Sequence, residues 1–333
     1  MATIYEVSEA AGVSLATVSR VMNGNAKVSD RTRKKVEDAM ISLGYQPNAI
    51  AQSLASNRTN SVGLLVSELH GSYFGDLMST VEQVLKQNGK HVIITAGHTD
   101  EKREHDAIEF LKSRRCDALI LHAEAVSDEY LQKLVSEKLP VVIINRKVDK
   151  LDENCFVVDN EQGGYLATQA ALEQGHKNIG YISGPLFKKD ANDRLLGHKR
   201  ALKEAGIAFN ENALFEGDFH ESSGQEGMHH MLAQFKDMTA LVCANDEMAS
   251  GAMTAAREAG FDIPTQLSVV GFDNVLFSRY LYPKLTTINN PIHAMGEMAA
   301  HWVLQHVYNI KSSLPIEHLF EPEIVMRDTL GTL

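Results

Sequence analysis

Just after Gly12 come Ser14, Leu15, Ala16, Thr17, Ser19 and Arg20, a short stretch of hydroxyls, small apolar groups and one guanidinium. With Val7, Ala10, Val13, Val18 and Val21 turned inward as a small core, these side chains are left available to a major groove and its flanking phosphates. A plain helical hairpin fits the same spacing equally well. A second set of polar residues closes apolar, β-branched runs. His122 follows Ala118–Leu121, Asn145 follows Val141–Ile144, Asn245 and Asp246 follow Leu241–Cys243, and Asp273 follows Ser268–Val270. In open α/β sheets, ligands bind at the carboxyl ends of strands. Arg194 adds a fork of donors suited to vicinal hydroxyls or a carboxylate. At Asp246, capping of the next helix is the stronger reading.

The elements that must position these groups fall into two styles. Up to Tyr45 there is no strand-like alternation, and the pattern predicts helices over Ile4–Ala11, Leu15–Met22 and Asp30–Leu43. Gly12 stops the first, Ser14 and Ser29 start the second and third, and Gly44 ends the third. Residues 48–55 make a short helical pattern, too short to be stable alone, and polar residues 56–61 read as a linker. Beyond it, the runs Val62–Val66, His91–Ala96, Ala118–Leu121, Val141–Ile144, Phe156–Val158, Ile179–Ile182, Leu241–Cys243 and Ser268–Val270 alternate with helical stretches such as Phe74–Gln87, Glu101–Arg114 and Gly164–Gln174. This alternation predicts an α/β fold with parallel sheets and right-handed crossovers. The number of units points to two doubly wound subdomains facing a cleft. Leu285–Ile288 and a helix near Ala294–Leu304 look like a late crossing back.

The 333 residues suffice for two or three domains with a sizeable core. Hydrophobic residues at 44% and charged residues at 23% describe an ordinary globular chain rather than a disordered one. The net charge of −11 argues against general coating of nucleic acid, while a slightly basic segment over residues 1–60 permits local phosphate contact. No apolar run is long enough to span a membrane, and the first residues lack an export signal, so a cytoplasmic protein is expected. Cys116, Cys155 and Cys243 are odd in number, far apart and set among apolar residues, which suits reduced core thiols.

The head phrases Ala2-Thr3-Ile4, Ala11-Gly12-Val13-Ser14, Thr17-Val18-Ser19-Arg20-Val21 and Leu43-Gly44-Tyr45-Gln46-Pro47-Asn48 resemble the LacI/GalR family of bacterial transcription regulators. The resemblance runs on through Gln174-Gly175-His176, Ile179-Gly180-Tyr181-Ile182, Gly184-Pro185, Arg194-Leu195, Ala244-Asn245-Asp246, Gly271-Phe272-Asp273 and Leu285-Thr286-Thr287-Ile288, so it covers essentially the whole chain. Arg115–Ile120, Ile144-Asn145-Arg146 and the stretch 272–280 are most like the family's galactose branch. Gly217-Asp218-Phe219 is more like the ribose and purine branches, where an aromatic stacks on the ligand.

The resemblance implies base contacts from Leu15, Ala16 and Arg20. A phosphate contact from Arg20 is an equal alternative. It implies backbone-holding roles for Thr17, Ser19 and Asn23, and further DNA contact from Thr3, Ser14, Asn48 and Ala55. It also implies that Leu54, from paired hinge helices, wedges into the minor groove and bends the duplex. In the body it implies an effector site with an aromatic face from Tyr73, Phe74 and Phe219 and polar contacts from Arg194, Asn245 and Asp273, joined by His122 and Asn145. Asn145 stands where some branches carry an acid.

The domain expectation is a helix-turn-helix head over 1–47, a hinge helix and linker over 48–61, and an effector-binding and dimerisation core of periplasmic-binding-protein type over 62–333. Within the core, the N-subdomain takes about 62–160 plus 291–320, and the C-subdomain about 161–290 plus 321–333. The expected function is repression of galactose-type sugar metabolism and transport genes. It would act as a homodimer on a pseudo-palindromic DNA operator, released by a small sugar, D-galactose first. The alternatives are ribose, another sugar or a purine corepressor within the same family, and a sugar-acting enzyme outside it. The chain lacks G-x-G-x-x-G after a strand, G-x-x-x-x-G-K-[ST], G-x-S-x-G and H-E-x-x-H, which counts against the enzyme. No metal, cofactor or membrane partner is expected. His229 and His230 lack a third ligand at useful spacing, and His176 reads as structural.

Overall fold

The computed structural model describes residues 2–22, 28–46, 58–137, 139–311 and 315–333, and the chain divides into two compact units, residues 1–60 and 61–333. Among its described residues the first unit contains three helices: α1 (Ile4–Ala11), α2 (Leu15–Met22) and α3 (Asp30–Ser42). Thr3 caps α1 in a capping box with Glu6, satisfying two of the free N–H groups at the helix start. Gly12 ends α1 at φ +64°, a left-handed conformation open to glycine at little cost. The Thr17 N–H donates to Ser14 Oγ at 3.2 Å and starts α2. Val7, Ala11, Val18, Val21, Val36 and Ala39 form the core. Ala10, expected inside, is exposed and Ala11 takes its place, because Val7 and Ala11 are one helical turn apart on the same face.

The second unit holds two six-stranded sheets. The first contains β1 (Ser61–Val66), β2 (His91–Ala96), β3 (Ala118–Leu121), β4 (Val141–Ile144), β5 (Cys155–Val158) and β11 (Leu319–Phe320), in the order β11-β5-β4-β3-β1-β2. The second contains β6 (Ile179–Ser183), β7 (Leu214–Glu216), β8 (Ala240–Cys243), β9 (Ser268–Asp273), β10 (Thr286–Asn289) and β12 (Glu323–Val325), in the order β12-β10-β9-β8-β6-β7. All pairings are parallel except β10 with β12. Fully buried β3 and β4 read as unbroken apolar runs, as strands covered on both faces must. The covering helices are α4 (Ser72–Gln87), α5 (Glu101–Ser113), α6 (Asp128–Ser136), α7 (Asn160–Glu173), α8 (Lys189–Glu204), α9 (Glu221–Gln234), α10 (Asp246–Glu258) and α11 (Ile292–Tyr308).

The chain passes between the sheets three times: after β5, after β10, and between β11 and β12. Helices α7 and α8 are clamped backbone to backbone from both sides. A Cβ on Gly164 of α7 would stand 2.0 Å from Arg194 O, and one on Gly197 of α8 would stand 1.9 Å from Glu161 O. Only hydrogen fits at either place, and the close approach fixes the height at which Arg194 leaves α8. The three cysteines are free and buried, in agreement with their expected role as core thiols.

Candidate effector cleft and helical head

Residues at the carboxyl ends of both sheets line a cavity of about 310 Å³ between them. From the first sheet's side come Ser67, Tyr73, Phe74, His122 and Glu124, and from the second Lys188, Asp190, Arg194, Phe219, Asn245 and Asp273. Arg194 is almost wholly buried. Its Nε donates to Asn160 Oδ1 at 2.8 Å, one terminal nitrogen donates to Ala244 O at 2.6 Å, and the guanidinium lies over the Phe272 ring at 3.7 Å. The carboxylates of Asp190 and Asp273 flank it at 4.0 and 3.7 Å. Burial pushes both carboxyls above their ordinary range. Asp273 rises to about 6, although the Arg194 charge and the Asn290 amide favour its ionised form.

Asp273 is the last residue of β9 rather than one beyond it, and holds φ +107°. Asn290 Nδ2 donates to its Oδ1 at 3.0 Å. Asn245, not Asp246, caps α10: its Oδ1 accepts from Met248 N at 2.9 Å while its Nδ2 donates to Phe219 O at 2.8 Å. Asp246 is fully buried and accepts from Thr287 Oγ1 at 2.5 Å and Val275 N at 3.0 Å. It ties the turn after β9 to β10 and so supports Asp273 from behind. A neutral acid is favoured there, since burial and the nearby Asp273 charge both raise its pKa.

Opposite Arg194 stands an aromatic wall. Tyr73 and Phe74 meet edge to face at 5.1 Å, and Phe74 meets His122 at 5.1 Å. His122 Nδ1 faces Ser67 Oγ at 3.4 Å. The Tyr73 hydroxyl and His122 Nε2 are buried without a hydrogen-bond partner among the described residues. Such atoms cost about 1–3 kcal/mol each unless something completes them, so both suit a polar ligand.

Of the expected effector residues, Tyr73, Phe74, His122, Arg194, Phe219, Asn245 and Asp273 line the cavity; Asn145 does not. The Asn145 amide donates to Asp190 Oδ2 at 3.4 Å and its oxygen accepts from Asn160, so it braces Asp190 from outside the cavity. Asp190, Glu124, Lys188 and Glu247 were missed. Asp190 had a signal in its position one helical turn before Arg194 on α8. Glu124 and Lys188 had none, since their 2.7 Å ion pair joins loops from different halves. Burial alone would raise the Glu124 carboxyl, but the charges of His122 and Lys188 outweigh it and hold the group below its usual range.

In the head, Ser14 just before α2 and Leu15, Ala16 and Arg20 on it are exposed, and Thr17 and Ser19 are partly covered. Thr3 is exposed at its cap. Asn23, Asn48, Leu54 and Ala55 lie outside the described residues. His176 is a structural link, its two ring nitrogens facing Thr239 Oγ1 and Gly331 O at 3.0 Å each. Among the described residues no cluster of His, Cys, Asp or Glu would hold a metal ion, and no helix is long and apolar enough to cross a membrane.

A paired-sheet cleft suited to a small polar ligand, in a chain that opens with a helical head, defines a ligand sensor of the periplasmic-binding type joined to a DNA reader. Residues 59–320 match the model for periplasmic binding proteins and the sugar binding domain of the LacI family, and residues 3–48 match that for bacterial regulatory proteins of the lacI family. The chain is 41% identical to the transcriptional regulator GalR of Escherichia coli K12 over 333 residues, covering all of this chain and 96% of that one. It is 37% identical over 311 residues to the transcriptional repressor PurR of Klebsiella pneumoniae strain 342, covering 93% of this chain and 91% of that one. A lac repressor dimer bound to operator and the anti-inducer ONPF superposes with a TM-score of 0.87 at 29% identity, covering 99% of both chains. The chain belongs to the LacI family. It is a DNA-binding transcriptional regulator and not an enzyme.

Proposed function

We propose that the protein is a homodimeric repressor of sugar-metabolism genes that holds a pseudo-palindromic operator and releases it when a small sugar binds the cleft. The observation that carries this reading is Arg194, buried between Asp190 and Asp273 in a cavity that Tyr73, Phe74 and Phe219 also line. Vicinal hydroxyls pair with such a fork and its carboxylates, while the apolar face of a sugar ring stacks on aromatics. D-Galactose is the first sugar to test, given the resemblance to the galactose branch and the likeness to GalR.

In this reading residues 1–47 read DNA, residues 48–61 form the hinge, and residues 62–333 sense the effector and dimerise. Leu15 and Ala16 meet base edges, Arg20 a base edge or a phosphate, Thr17, Ser19 and Asn23 hold the backbone, Thr3, Ser14, Asn48 and Ala55 add DNA contact, and Leu54 wedges the minor groove. Operator binding at fixed salt, with and without D-galactose, tests the proposal. Release supports it, and tight binding that galactose leaves unchanged moves the search to other sugars. Binding that strengthens with a purine would instead favour a corepressor, a reading to which Phe219 and the likeness to PurR lend weight. Failure to find any specific operator would overturn it.

A further inference from the structure

Cations in the cleft stand beside carboxylates. Glu68, Glu124, Asp190, Asp218, Glu247 and Asp273 line it, against the two permanent cations Lys188 and Arg194. Lys188 Nζ is 2.7 Å from Glu124 Oε2, both side chains being largely buried, and Arg194 lies between Asp190 and Asp273. His70 and His98 face Glu68 at 3.5 and 3.3 Å, so protonation of either would form an ion pair within the protein rather than leave a free positive charge.

Helix N-termini are the other natural seats for an anion, and here they already face acids. At α4, Glu247 Oε1 comes to 3.2 Å from where a Cβ on Gly71 would stand. At α8, Asp190 sits in the first turn and accepts from Ala191 N at 2.8 Å. At α10, Asp246 occupies the first turn. The groups still lacking a partner among the described residues, the Tyr73 hydroxyl and the Nε2 of His122, a residue 2% exposed, each offer a single hydrogen-bonding atom.

Resting on the reading of the cleft as a sugar site, we infer that it takes an unphosphorylated polyol and rejects sugar phosphates, and that Glu124 sets this selectivity by holding Lys188. A phosphoryl group brings about −2 charge at neutral pH. In this cleft it would meet surplus carboxylate and a lysine already paired. Glu124→Gln leaves the shape nearly unchanged while releasing Lys188, and should raise affinity for a phosphorylated sugar about tenfold or more.

The test is calorimetry with D-galactose, D-galactose 6-phosphate and inorganic phosphate on the full chain, wild type and Glu124→Gln. Thermal melts in matched salt accompany it for both proteins and for Lys188→Ala. Binding of galactose without its phosphate, and a gain of phosphate-ester binding in Glu124→Gln, is the expected result. Wild-type binding of the phosphate ester as tight as that of the free sugar overturns the selectivity while leaving the sugar site standing. If neither sugar binds, the sugar reading fails, and inorganic phosphate decides the charge question alone. Stabilisation of the wild type by phosphate that disappears in Lys188→Ala overturns the rejection of phosphate, and no such stabilisation upholds that rejection alone.

Discussion

The Asp273 carboxyl, pushed up to about 6 by burial against the pull of Arg194, gives effector binding a pH dependence of fixed sign. A ligand hydroxyl donates to the ionised form, so affinity should be full above pH 6 and fall as the pH drops through 6 toward 5. Asp190 and Glu247, also raised by burial, act in the same direction. For folding the sign is opposite. A carboxyl whose folded value is raised favours the folded state below its unfolded value near 4, and that contribution is lost as pH climbs from 4 to 6. Calorimetric titration of the effector from pH 5 to 8 checks the first, and an affinity flat across the range would remove Asp273 from the contact. Arg194→Lys keeps a charge but loses the fork to Asn160 and Ala244 O. Operator binding should persist in this variant while the effector response drops at least about tenfold, measured by operator release. At this scale strand-end polarity made Asn245, Asp273 and His122 legible. Asn145 follows its strand as expected but reaches Asp190 rather than the cavity, since alternation fixes where a side chain starts and not what it reaches. Asp246 looked like a cap because sequence shows an acid at a helix start and not the Thr287 hydroxyl waiting beneath it.

Helices α7 and α8 meet through Gly164 and Gly197, and that contact sets the position of Arg194. Gly164→Ala should destabilise the protein by about 1–3 kcal/mol and weaken effector binding, because the new methyl drives α8 away from α7. Gly75 in α4 has nothing within 4 Å of the place a Cβ would take, and Gly75→Ala should instead stabilise by about 0.5–1 kcal/mol through helix propensity. Denaturant unfolding of both variants separates the cases. If both substitutions raise stability, the clamp is not tight. Periodicity and caps were enough to find the head helices and most strands, since those signals are local. The clamp was not legible, because nothing in a glycine tells which backbone will press on it.

Across the whole molecule, a cleft that responds to effector and a head that reads DNA impose reciprocity. Whatever factor the effector takes from operator affinity, the operator must take from effector affinity. Measuring effector binding with and without operator should return the same ratio as operator binding with and without effector, and unequal ratios would mean that a further species is present. The hinge carries the coupling in this account. Leu54→Ala should therefore cost specific operator affinity far more than nonspecific affinity, read by competition with random-sequence DNA.

Strands β11 and β12 each take the outer place in their sheets, and the chain reaches them only after passing 318 residues. Neither half can complete its sheet as it leaves the ribosome, because β5 must wait for Leu319–Phe320 and β10 for Glu323–Val325. The head core, built from residues 7–39, is free to fold early, while the two halves of the body finish together and late. A nascent chain halted before residue 319 would carry formed head helices on an unfinished body. The order of synthesis thus completes the head helices before the body that, in the proposed reading, pairs two heads on one operator.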